Sequence, residues 1–183
     1  MNDYLLWIDV ETSGLTPNTS QLLEVAGVIT DQNLNIINET FFEEVIYHTP
    51  EETINLYETA SSIVKDMHTK TGLWEKLSTG TPLKTVDETL QNIIKQAKTE
   101  HNIKTLRVAG NSVRLDLNFI ETYLPATYSE LTYRFIDVTT VNTLAQWWGK
   151  ISAPQKKTTH SAMSDIMESI EELRFLKTRI NFQ

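Results

Sequence analysis

Leu5-Leu6-Trp7-Ile8-Asp9-Val10-Glu11, running on into Thr12-Ser13-Gly14-Leu15, is the stretch on which the reading of the fold turns. Residues 5–10 are almost wholly apolar apart from Asp9, which suits a central strand buried on both faces. The sequence Glu-Thr-Ser-Gly at 11–14 then turns the chain. Asp9 and Glu11 stand two residues apart, so while the backbone stays extended both carboxylates project from the same side. Like charges held side by side repel, and a divalent cation is the usual remedy. Taken alone, the pair is equally two solvated residues where a strand meets a turn.

Working outward, residues 23–30 and 36–45 read as two further strands joined by a polar hairpin turn, Asp31-Gln32-Asn33, so an antiparallel meander opens the chain. Residues 50–77 have helical character with irregular periodicity. A clearer helix follows, with Thr81 as cap, Pro82 at its first position, and Val86, Leu90, Ile93, Ile94 and Ala97 along one face. Residues 106–109 read as a strand, 115–124 as a helix, 133–138 as the last strand, and 139–149 and 162–178 as two closing helices. The expected class is α/β: a mixed five-stranded sheet flanked by helices. No flexible linker, low-complexity stretch or repeat interrupts it, so residues 1–183 are expected to form a single domain.

The bulk properties narrow the function. At 183 residues with 40% hydrophobic residues, the chain is long enough for one closed core and short for two. Its apolar runs fall far below the roughly 18 residues of a membrane span, and the N-terminus lacks a signal-peptide pattern, so a cytoplasmic protein is expected. With no cysteine, disulfides, thiolate ligands and a Cys nucleophile are excluded, and any metal must sit on oxygen or imidazole. The formal net charge of -8 argues against binding long nucleic acid through many phosphate contacts. Clustered carboxylates nevertheless suit divalent cations, whose charge then attracts a phosphodiester.

Two further stretches carry candidate chemistry. Near the C-terminus stands His160-Ser161-Ala162-Met163-Ser164-Asp165, followed by the helical face Ile166, Ile170, Leu173 and Leu176. Helical positions five apart are rotated by roughly 140°, so His160 is expected in the loop before the helix, from where it and Asp165 reach one centre from different directions. Alternatively, His160 is a surface residue and Asp165 an acid favoured near a helix N-terminus. In the middle lies Gly110-Asn111-Ser112-Val113-Arg114-Leu115-Asp116, a strand end opening into a helix. That junction brings Asp116 to the sheet edge and offers Ser112 to a phosphate oxygen, although Asn, Ser and Asp are also ordinary helix-start residues.

Together and in this order, Asp-x-Glu-Thr-x-Gly-Leu, an Asp after Gly-Asn-Ser, and His-x-Ala-x-x-Asp resemble the DEDDh exonucleases. The likeness narrows to the oligoribonucleases through residues 7–17, Ile29-Thr30-Asp31 before Asn33-Leu34-Asn35-Ile36, His68-Thr69-Lys70-Thr71-Gly72-Leu73, Gly110-Asn111-Ser112, residues 133–138 and residues 160–170. The resemblance spans nearly the whole chain. It implies an RNase H-like fold and a 3′→5′ exoribonuclease acting on short single-stranded RNA down to dinucleotides. It also implies two Mg²⁺ or Mn²⁺ ions held by Asp9, Glu11, Asp116 and Asp165, with His160 as general base. Leu15 matches the leucine that wedges between the last two bases, and Ser112 and Thr139 match hydroxyl residues near the 5′ phosphate. Tyr133 and Arg134 match residues that the partner subunit of a homodimer adds to that phosphate cap.

The chain departs from the family pattern in three places. Ile63 stands where oligoribonucleases carry a stacking Trp, leaving Trp74 as a nearby aromatic to take its role, and Thr132 stands where they usually show His. The segment before His160 is shortened and holds Lys156-Lys157. Two rival functions share the fold: a DEDDh proofreading or repair exonuclease acting on DNA, and a catalytically silent nucleotide-binding protein. The complete set of four carboxylates and a histidine speaks against the silent one.

Overall fold

The computed structural model describes residues 2–154 and 161–180. Three ten-residue strands, β1 (Asp3–Thr12), β2 (Leu22–Asp31) and β3 (Ile36–Val45), form the expected antiparallel meander. Short helices α1 (Pro50–Thr59), α2 (Ser62–Thr71) and α3 (Leu73–Lys76) lead into the long α4 (Leu83–Glu100). Then come β4 (Thr105–Gly110), α5 (Arg114–Tyr123), α6 (Pro125–Tyr128), β5 (Phe135–Asp137), α7 (Val138–Gly149) and α8 (Ala162–Arg179). The sheet order is β3-β2-β1-β4-β5, with β4 and β5 parallel to β1. The fold is therefore α/β, a mixed five-stranded sheet between helices.

The two-residue period of β1 decides what each face holds. Leu6 and Ile8 point into a core with Val86, Leu90 and Ile94 of α4 and Leu117 and Ile120 of α5. Trp7 points the other way, into a core with Ile166, Ile170 and Leu176 of α8 and Val138 and Ala145 of α7. The Trp7 indole donates to Thr30 Oγ1 at 2.9 Å, so its one polar atom is satisfied in the interior. A third, smaller cluster of Leu23, Leu73, Trp74 and Leu77 seats α1 to α3 beside the meander. Among the described residues no helix is long and apolar enough to cross a membrane.

The start of α4 and both ends of the last strand differ from the sequence reading. Thr81 does not cap α4, because its N–H donates to the Val45 carbonyl and its hydroxyl to Glu44 Oε2 at 2.7 Å, and the helix starts after Pro82. The last strand is Phe135–Asp137 rather than 133–138: Thr132 donates to the Leu106 and Arg134 carbonyls in a turn, leaving Tyr133 82% exposed. Val138 is already helical, with Asp137 as its cap.

Asp87 illustrates a long-range tie that periodicity conceals. It lies on the buried face of α4 and accepts from the Ala126 and Thr127 N–H groups at 2.9 and 2.7 Å, fixing the start of α6. Replacement by alanine orphans two amides, and a loss of about 3 kcal/mol is expected in urea unfolding, at the upper end for an unsatisfied buried group. A loss within experimental error shows that water replaces the carboxylate.

Candidate active site

The site lies at the edge of the sheet where the parallel strands β1, β4 and β5 end, the place where open α/β sheets bind ligands. Asp9 and Glu11 follow Trp7 on the odd-numbered face of β1, toward α8, whose first turn carries Asp165. Ligand oxygens of Asp9, Glu11 and Asp165 all lie within 4.8 Å of one another. Asp116, in the first turn of α5, approaches from the strand end, and its Oδ1 accepts from the Val10 N–H at 3.1 Å. The structure thus brings all four expected carboxylates to one edge, three of them in a tight group and Asp116 tied to the backbone between Asp9 and Glu11. His160, Lys156 and Lys157 lie outside the described residues.

Burial and like charge dominate the electrostatics of this edge. Burial pushes the Glu11 carboxyl up to about 8, helped by the charges of Glu24, Asp165 and Asp116. Burial likewise raises Asp116 to about 7, against the lowering effect of the Val10 N–H. Glu24, opposite Glu11 on β2, is raised by burial and by Glu43, while Lys76 and the Ala162 N–H at the start of α8 pull it down. A hard divalent cation suits this donor set, all oxygen and crowded with like charge.

His68 supports the cluster from α2. It is fully buried, its Nε2 donates to the Thr12 carbonyl at 2.9 Å, and its Nδ1 lies 3.8 Å from Glu11 Oε2. Trp74 meets the His68 ring edge-on at 5.3 Å and is 7% exposed, so it offers no free face for stacking a base. Ile63, in contrast, is 77% exposed.

The other expected contacts spread along the same edge. Leu15 is 75% exposed in the turn after β1, where the Thr12 hydroxyl donates to the Gly14 carbonyl, the Ser13 N–H donates to the Gln21 carbonyl and the Ser13 Oγ accepts from the Gln21 N–H. Ser112 adopts a left-handed conformation with φ 52, uncommon for a residue other than glycine. Its N–H donates to Asp137 Oδ1 and Thr139 Oγ1, both at 3.1 Å, which holds the strained turn in place. Arg134 Nε donates to the Tyr133 hydroxyl at 2.9 Å and its guanidinium covers the Tyr133 ring, both side chains facing solvent. Sequence reasoning missed Glu24, His68, Asp137 and Glu172 as parts of the site. For Glu172 a signal existed: Asp165, Ser169 and Glu172 fall at i, i+4 and i+7, a polar stripe on a helix whose next positions are apolar.

Residues 6–173 match the RNase T exonuclease family. The oligoribonuclease of Streptomyces avermitilis is 34% identical over 98% of this chain and 88% of the relative, and that of Francisella tularensis is 34% identical over 97% and 96%. This chain belongs to the oligoribonuclease family of exonucleases. The solved exonuclease I of Methylocaldum szegediense superposes with a TM-score of 0.70 at 18% identity, and E. coli exonuclease I in complex with a dT13 oligonucleotide with 0.69 at 14%. Both share the fold over 96% and 97% of this chain, which spans only 40% and 41% of theirs. Family membership makes the chain a metal-dependent 3′→5′ exonuclease, and the oxygens of Asp9, Glu11 and Asp165 lie close enough together to share a cation.

The raised carboxyls have a pH consequence. A carboxyl that titrates higher in the folded than in the unfolded chain stabilises the fold below its unfolded value, near 4.5 for Glu11, and loses that contribution as pH rises through about 8. In EDTA the melting temperature should therefore fall between pH 5 and 8.5. Mn²⁺ should remove most of the fall and Glu11→Gln should flatten it. A profile in EDTA that rises over this range contradicts the assignment.

Proposed function

We propose that this chain hydrolyses short single-stranded RNA from its 3′ end, down to dinucleotides, releasing nucleoside 5′-monophosphates with two Mg²⁺ or Mn²⁺ ions held by Asp9, Glu11, Asp116 and Asp165. The observation that carries the reading is the meeting of Asp9, Glu11 and Asp165 oxygens within 4.8 Å at the sheet edge, with Asp116 bonded to the strand between them. When bound, the ions supply positive charge for the attacking water, the phosphate and the leaving 3′ oxygen. The chain supplies the rest.

His160 is the general base in this reading, its imidazole taking the proton of the attacking water. It immediately precedes Ser161 in sequence, and the Ser161 carbonyl accepts from the Asp165 N–H at 3.0 Å at the start of α8. Exposed Leu15 separates the last two bases. Ser112 and Thr139 lie at the 5′ phosphate, and Tyr133 and Arg134 of a second copy complete the cap, their outward-facing pair being available to another molecule. A planar guanidinium suits phosphate oxygens. The reading therefore includes a homodimer in the cytoplasm.

Asp9→Asn and Asp165→Asn are expected to abolish hydrolysis while leaving the fold at least as stable in EDTA, because each removes a charge from a repelling cluster. His160→Ala should lower turnover by roughly 10²-fold or more with metal binding little changed. Near-normal turnover of either Asn variant sinks the metal assignment, and loss of a metal from the His160 variant makes His160 a ligand. Rates on matched RNA and DNA oligonucleotides decide between RNA and DNA as substrate.

Length preference tests the part of the reading in which this chain departs from its relatives. A lost aromatic platform costs about 1 to 3 kcal/mol per stacked base, and neither Ile63 nor buried Trp74 restores one. The preference for two residues over five to seven should accordingly be shallow, and Arg134→Ala should weaken binding of 5′-phosphorylated dinucleotides to a dimer. Measured kcat/KM for lengths two to seven decides it, a steep fall after two showing that the phosphate cap rather than stacking sets the length. A fully active stable monomer in solution scattering refutes the shared cap.

A further inference from the structure

A hydrogen-bonded chain leads from α8 to the Ser112 hydroxyl, and its direction is fixed by the group at its buried end. Glu172 is nearly buried, and its two oxygens accept from Asn111 Nδ2 at 3.0 Å and Asn142 Nδ2 at 2.8 Å. Asn111 Nδ2 also donates to Ser169 Oγ at 2.8 Å, and Ser169 in turn donates to the Asp165 carbonyl at 2.7 Å. An amide placed with its nitrogen against a carboxylate and a hydroxyl oxygen has only one way round, because turning it over would set its oxygen against the Glu172 oxygen. Asn111 Oδ1 must therefore face Thr139, whose Oγ1 donates to it at 3.0 Å.

A hydroxyl has one proton. Once that of Thr139 is committed to Asn111, Thr139 Oγ1 serves the Ser112 turn only as an acceptor. It accepts from the Ser112 N–H at 3.1 Å and lies 3.3 Å from Ser112 Oγ. The Ser112 amide is engaged a second time by Asp137 Oδ1. What the chain leaves available for a ligand is the Ser112 hydroxyl proton, whose internal contact is the longest in the series and is exchanged without disturbing any other bond.

We propose that Glu172 is a positioning residue that acts through Asn111 and Thr139 to present the Ser112 hydroxyl as the donor to the substrate's 5′ phosphate, with Thr139 orienting Ser112 rather than donating to the phosphate itself. This rests on the placement of the 5′ phosphate at Ser112 proposed above. It goes beyond that placement in giving the two hydroxyls different tasks and in tracing the difference to a carboxylate on another helix.

The test compares a 5′-phosphorylated with a 5′-hydroxyl RNA dinucleotide. Ser112→Ala and Glu172→Leu should each raise KM for the phosphorylated substrate about tenfold, the size of one net hydrogen bond to a charged group, with kcat little altered and the 5′-hydroxyl substrate much less affected. Because both act through one donor, the double variant should be no worse than either single one. Glu172→Gln should restore most of the preference, since its remaining oxygen still accepts from Asn111 while Asn142 turns its amide to meet the new NH₂. Should Glu172→Leu fail to fold in a thermal melt, Asn111→Ala breaks the chain at its middle link and should give the same KM split.

If Ser112→Ala keeps the full phosphate preference, the placement of the phosphate fails and the inference with it. If Ser112→Ala loses the preference while Glu172→Leu and Asn111→Ala keep it, the placement stands and the positioning role is overturned. Equal loss of kcat on both substrates in the Glu172 and Asn111 variants also overturns it, showing that they merely hold α8 in place.

Discussion

Mutual repulsion among the carboxylates at the end of β1 is the constraint around which the rest of the structure is arranged. Asp9, Glu11 and Asp165 crowd together, with Asp116 at the strand end and Glu24 across the ladder from Glu11. Left to itself such a cluster would spread apart. It is held because β1 is a central strand, paired with β2 along one side and β4 along the other. It is held also because α8 packs Ile166, Ile170 and Leu176 into the core around Trp7, Ala26 and Ala109. Apolar burial over the body of the molecule thus fixes in place a local crowding of like charge that is unfavourable by itself.

The part of this arrangement that follows simple periods was legible in the sequence. Alternation along residues 5–11 puts Asp9 and Glu11 on one side of a strand, and the spacing of Val86, Leu90, Ile94 and Ala97 gives the buried face of α4, all four of which are buried. Ile93, read as part of that face, only packs partly against it. The boundaries that shifted did so where tertiary partners outbid local preference: Thr81, a good cap by type, is held instead by Glu44 and Val45 of a strand 36 residues or so earlier.

The polar tether system was not legible, for a physical reason. His68 with Thr12, Asp87 with Thr127, and Asn111 with Glu172 each join groups separated by 40 to 61 positions. No hydrophobic period marks such pairings, since each depends on which helix lands beside which strand. Asp137 is concealed in the same way: in sequence it falls within the stretch 133–138 read as a strand, yet the Oδ1 that caps α7 by accepting from Thr139 also holds the strained Ser112 amide 25 positions away. The motifs of the resemblance mark the residues gathered at the sheet edge, whereas those that hold them in place emerge only from the hydrogen-bond geometry.

Helix α8 joins the two ends of the site. Asp165 in its first turn faces the carboxylate edge, while Glu172, seven residues on and about 10 Å along the axis, faces the turn that carries Ser112. Ser169 lies between them on the same stripe and is bonded to both sides, donating back to the Asp165 carbonyl and accepting from Asn111. The apolar side of the helix meanwhile is anchored in the core, so the stripe cannot slide without unpacking Ile166 and Ile170. The distance between Asp165 at one end and the Ser112 turn at the other is therefore set by the pitch of a packed helix rather than by a loop. The stripe of Asp165, Ser169 and Glu172 thus keeps its spacing because the apolar Ile166, Ile170 and Leu173, each next in the chain to one of its members, pack into the core.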